Sequence, residues 1–130
     1  MFQVVEVSTN VVAATRFSGA VKGLFTASMV GGNVISSYDN QPGSGVGQMS
    51  HPQNLAVSND GCIVVGDNGN NRLLVVNPSL TDARTLPVAT QYLNALCLDQ
   101  SGGRLYVGEF GGQSNVLMFS LESNVGALFT

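Results

Sequence analysis

At 130 residues, the chain has room for one domain at most, and with 44% apolar residues, 10% charged residues and a net charge of −3 it lacks the low hydropathy and high charge of a disordered segment. Its five basic residues, Arg16, Lys22, Arg72, Arg84 and Arg104, are dispersed, so composition supplies no phosphate-binding stripe and argues against nucleic acid as a ligand. Val-rich stretches punctuated by 16 glycines, Asn and Ser read as an all-β protein of many short strands.

Residues 1–39 read as a degenerate first unit. VVEV (4–7), NVVAATRF (10–17), AVKGLFTAS (20–28) and NVISSYD (33–39) are its four predicted strands. The opening MFQVVEVSTN carries Glu6 and no basic region, so it does not read as a signal peptide. The uncharged run from Gly23 to Tyr38 is broken by Gly31, Gly32 and Asn33 and is no bilayer span. The connector NQPGSGVGQMSH (40–51) is rich in turn formers and is expected on the surface. Its GSGVGQ (43–48) lacks the Lys of a phosphate loop, and its His51 is the sole histidine, too few imidazoles for zinc catalysis.

A second unit spans 50–90. Strands are predicted at 54–58, 62–66 and 72–76, with a fourth at 84–90 that Pro87 marks as an edge. The turn Asn59-Asp60-Gly61 is expected in the tight hairpin form with positive φ at its two central positions. The third unit, 93–130, repeats the second. NLAVSNDGCIVVGD (54–67) lies over ALCLDQSGGRLYVGE (95–109), placing Leu55 on Leu96, Val57 on Leu98, Ile63 on Leu105, Val65 on Val107 and Asp67 on Glu109. Leu74 and Val76 then fall on Leu117 and Phe119. A period of about 40–45 residues with four strands per unit is that of β-propeller blades. The expected fold is therefore a partial β-propeller of about three four-stranded antiparallel blades.

GQMSHPQNLAVSNDGCIVVGDNGNNRLLVV (47–76) resembles an NHL repeat, the blade found in the C-terminal part of many tripartite-motif proteins. Pro52, Asp60, Gly61, Asp67, Asn70, Asn71 and Arg72 carry the resemblance; Asn54 and Gly66 depart from it, standing where that family favours Gly and Ala. The unit at 93–120 matches more weakly, with Glu109 in place of the Asp. The resemblance implies a protein-interaction module, the partner-binding part of a ubiquitin ligase whose catalytic finger is not in this chain; the lack of a signal-peptide pattern and of a bilayer span reads as a cytoplasmic location. It also leaves two alternatives: an RNA-binding propeller, or part of a metal-dependent six-bladed hydrolase or lyase in which Asp67, Asp99 and Glu109 would line a channel mouth.

Turn chemistry alone accounts for the motif. Asp67 ends an apolar strand, Asn70 or Asn71 can take the left-handed conformation, and Arg72 can pair with Asp67 across the loop. These residues are expected to lock the blade rather than to bind a ligand. The loops bearing Asn68, Glu109, Phe110 and Gln113 are the candidate binding face. No catalytic residues, metal ligands or cofactor are expected; two cysteines allow one disulfide, but Cys62 and Cys97 are expected as buried, reduced thiols. The tail ESNVGALFT stops partway into a strand and reads as that of a fragment. Three blades leave two apolar faces open, so the chain is expected to self-associate or to need further blades.

Overall fold

The computed structural model describes residues 3–8, 10–16, 23–28, 30, 31, 33–38, 49, 52–86, 93–99, 101, 103–109 and 115–120. Strands β1 (Val4–Ser8), β2 (Val11–Arg16), β3 (Gly23–Ser28) and β4 (Val34–Tyr38) form one sheet in chain order. Strands β5 (Pro52–Val57), β6 (Ile63–Asp67), β7 (Arg72–Val76) and β8 (Ala83–Thr85) form a second, also in chain order. Strands β9 (Leu93–Asp99), β10 (Arg104–Glu109) and β11 (Asn115–Ser120) form a third. Every pairing is antiparallel. The one helical piece among the described residues is a 3₁₀ turn, Asn68–Asn70, and no helix of the described chain is long and apolar enough to cross a membrane.

The three sheets stack face to face, and side-chain alternation decides how. Along β5 to β7 the side chains point to opposite faces in turn. Leu55, Ile63, Val65, Leu74 and Val76 pack with Ala13, Leu24 and Met49 toward the first sheet. Ala56, Val64, Leu73 and Val75 pack with Leu93, Leu105 and Val107 toward the third. The second sheet is thus buried on both sides, which is why all five residues of β6 are buried. Strands buried on both faces carry unbroken apolar runs, as IVVG does. The architecture is that of a partial β-propeller, three blades deep.

The sequence repeat is a repeat of faces. Leu55, Ile63, Val65, Leu74 and Val76 face the blade before them. Their counterparts Leu96, Leu105, Val107, Leu117 and Phe119 likewise pack toward the second blade.

Several expectations are corrected. The Asn59-Asp60-Gly61 connection is not the two-residue hairpin form: neither Asn59 nor Asp60 has a positive φ, and Gly61 alone does, at +85°. Gly61 N–H donates to the Ser58 carbonyl at 3.0 Å and Ser58 N–H to that of Cys62 at 2.8 Å, the pattern of a three-residue hairpin loop with glycine in the left-handed place. Among the described residues the fourth strand of the second blade is Ala83–Thr85, with Leu86 N–H donating to Leu73 O at 3.0 Å; residues 87–90 of the expected strand, Pro87 among them, lie outside the described residues. Met49, in the connector expected on the surface, is buried in the core between the first two blades because its long apolar side chain fills space there. Cys62 is buried but Cys97 is exposed, since β9 turns Leu96 and Leu98 inward and Cys97 to the opposite, uncovered face; both thiols are free. The third sheet has three strands among the described residues, and residues 121–130 lie outside them.

Candidate functional site

Five of the seven motif residues, Pro52, Asp67, Asn70, Asn71 and Arg72, collect at one end of the second blade. Pro52 opens β5 opposite Asp67, where the missing N–H of proline costs least. Asp67 closes β6, and the chain turns through Asn68–Asn70 to Asn71, whose φ of 51° and ψ of 45° place it in the left-handed region. Of the two candidate asparagines, then, Asn71 takes that conformation and Asn70 does not. Asn70 instead donates through Nδ2 to Asp67 Oδ2 at 2.8 Å, and Arg72 donates through Nε to the same oxygen at 2.7 Å. The Asp67 side chain is fully buried while that of Arg72 stays 22% exposed. A buried carboxylate held by a guanidinium and an amide is a charge-assisted network that fixes the β6–β7 turn.

Asp60 and Gly61 sit at the other end of the blade, about 17 Å away along a strand that rises about 3.4 Å per residue. Asp60 accepts a hydrogen bond from the Ser58 hydroxyl. Ser58 Oγ also accepts from Cys62 N–H at 3.0 Å. Burial pushes the Cys62 thiol pKa up; the nearby Asp60 carboxylate adds to the rise, and the Ser58 hydrogen bond opposes it. A protonated thiol in that setting is a packing group rather than a nucleophile.

Asn68 serves a different purpose from its neighbours. Its Nδ2 donates to Gln53 Oε1 at 2.9 Å and to the backbone carbonyl of Leu93, in the third blade, at 3.0 Å. Its Oδ1 is buried without a hydrogen-bond partner among the described residues. Gln53 continues the line in the other direction: its backbone carbonyl accepts from Thr15 Oγ1 of the first blade at 3.0 Å. Two residues further along β5, Leu55 N–H donates to Gln3 Oε1 at 3.0 Å. Thr15, Gln53, Asn68 and Leu93 thus form a polar seam across all three blades. The seam passes directly over Gly66, where an added Cβ would lie 2.1 Å from Leu93 Cδ2 and 2.9 Å from Asn68 Oδ1. The departure from the NHL pattern at Gly66 therefore has a local cause.

Asn68, named in the sequence as a candidate for the binding face, has its amide nitrogen engaged by other blades. Glu109 closes β10, half-buried, opposite Leu93. Phe110 and Gln113 lie outside the described residues, as does His51. The sequence did not single out Gln3, Thr15, Gln53 or Leu93, which form the seam with Asn68. Among the described residues no group of three or more His, Cys, Asp or Glu side chains could hold a metal ion. Compared with known proteins, the chain matches no family model and no curated protein.

Proposed function

We propose that this chain is a protein-binding module built as part of an NHL-like propeller, working as the partner-binding portion of a tripartite-motif-like ubiquitin ligase in the cytoplasm. The observation that carries this reading is the use made of the motif. Asp67, Asn70 and Arg72 bond one another at a buried turn, and the amide nitrogen of Asn68 ties two blades together. Residues that other site types would spend on a ligand are here spent on the scaffold. What the scaffold displays is its loop ends, and the NHL propellers that residues 47–76 resemble hold protein partners there. Asp82 and Arg84 bond each other in the open, and with so few cations the surface suits a peptide or protein better than a phosphate backbone.

The test is affinity capture from native extract, followed by titration of the purified chain with each captured protein. A saturable one-to-one complex supports the reading. Stoichiometric calcium or zinc in the purified chain, with turnover of an ester or lactone, would replace it by the hydrolase reading. Tight RNA binding that weakens steeply with salt would replace it by the nucleic-acid one.

A further inference from the structure

The repeat of faces described above reaches beyond the chain. In the second blade, the face that carries Ala56, Val64, Leu73 and Val75 is buried against the third. Counting along the same register, the corresponding face of the third blade carries Cys97, Tyr106, Val116 and Met118. Here that face is open: Cys97 is exposed, Val116 is 75% exposed and Met118 is 54% exposed. The first blade has the complementary opening. In the second and third blades the face that receives the preceding blade carries Leu55, Val57 and Ile63, or Leu96, Leu98 and Leu105. In the first blade the same register places Val4, Glu6 and Val12 there, and Val4 is 48% exposed.

Each open face carries a charged side chain at its turn end, and on the third blade Arg104 stands beside its cross-strand neighbour Asp99. Glu6 stands where the third blade has Leu98, and Arg104 stands where the second blade has Cys62. Cys62 and Leu98 share the core between the second and third blades. A first blade seated on a third blade in the same way therefore brings Glu6 toward Arg104. Both are exposed within the chain, and neither forms an ion pair with another described residue. Two copies of one face, apposed about a twofold axis, would bring neither residue to the other, so the head-to-tail pairing is the one that joins Glu6 to Arg104.

We propose that the open face of the third blade docks the open face of the first blade of a second copy, with Glu6 against Arg104. The contact is heterologous, and such contacts close into a ring when the rotation per subunit fits. Two copies supply six blades, within the range of about four to eight at which propeller rings close. This proposal stands apart from the protein-binding reading, because it concerns the blade faces and not the loop ends.

Sedimentation equilibrium of the full chain at micromolar concentration tests it. A dimer is expected. Glu6→Arg alone and Arg104→Glu alone each place like charges in both contacts and weaken the dimer about tenfold or more. Mixing the two variants restores the dimer, since each then meets its opposite charge. Both sites are exposed, so folding of the variants, checked by circular dichroism, is retained. A second readout is Cys97, whose alkylation slows as wild-type concentration rises but not in Glu6→Arg. A folded wild-type monomer, a dimer indifferent to both charge reversals, an open series of higher oligomers, or failure of the mixed variants to pair overturns the proposal. A monomer that nonetheless binds its captured protein leaves the protein-binding reading intact.

Discussion

A single methyl group separates two glycines that occupy equivalent places in their blades. At Gly66 an added Cβ would lie 2.1 Å from Leu93 Cδ2, and Leu93 is itself held in the core. At Gly108 the nearest atom is Ala95 Cβ at 3.5 Å, an ordinary contact. Neither has a positive φ. Gly66→Ala is therefore expected to lower stability by about 1–3 kcal/mol through overpacking. Gly108→Ala is expected to be neutral or to stabilise by up to about 1 kcal/mol by restricting the unfolded chain. Urea titrations of both variants check this, and equal losses would show that strand geometry rather than Leu93 sets the cost. The Asp67 network gives the second test at this scale. Arg72→Ala leaves a fully buried carboxylate without its guanidinium, and is expected to cost about 1–3 kcal/mol in the same titration. Unchanged stability with lost partner binding would make Arg72 a recognition residue instead.

Strands and turns divide sharply in how far the sequence announced them. The runs IVVG and RLLVV show themselves because a strand buried on both faces needs apolar residues at every position, and β6 and β7 lie within a residue of where they were expected. The sequence places the β5–β6 turn but not its geometry, because Asp-Gly serves two hairpin forms and only the hydrogen bonds of Ser58 distinguish them. The β7–β8 turn was not legible at all. It puts Leu80 in the left-handed region at φ 60°, a conformation that costs a leucine roughly 1–2 kcal/mol. Burial of Leu80 in the core and the Asn77 side chain, which accepts from the amides of Thr81 and Asp82, offset that strain. The Asp67–Arg72 pair was legible from spacing, since both ends lie within one turn. The polar seam was not, because Thr15, Gln53, Asn68 and Leu93 are far apart in sequence and only blade stacking joins them. Asn68→Ala removes the tie to Leu93 while leaving the Asp67 network in place. It is expected to speed amide exchange along β9 several-fold more than along β2, as measured by hydrogen exchange of the folded chain. Uniform acceleration across both strands would mean that Asn68 stabilises its own turn and not the blade junction.

Across the whole molecule, stability should follow the stacking order of the sheets. The second blade is covered on both faces, so its strands lose water on two sides and can reopen only by dismantling both cores. Among the described residues the first and third blades are each covered on one face, and on their other faces Val4, Val34, Val116 and Met118 remain about half or more exposed. Apolar surface contributes about 25 cal/mol per Å² buried, so a face of several hundred Å² is a difference of several kcal/mol between inner and outer blades. Openings of that size are large beside a whole-domain stability of about 5–15 kcal/mol. In dilute solution the amides of β6 and β7 are therefore expected to exchange only through global unfolding, and those of β11 and β4 through partial openings several kcal/mol lower. Native-state exchange across a denaturant series separates the two classes, because global openings depend steeply on denaturant and partial ones weakly. Raising the chain concentration covers the outer faces with a second copy and moves β11 toward the protection of β6. If β11 matched β6 even in dilute protein, stacking would not be what sets stability, and the third sheet would have to be held by its own strand pairing alone.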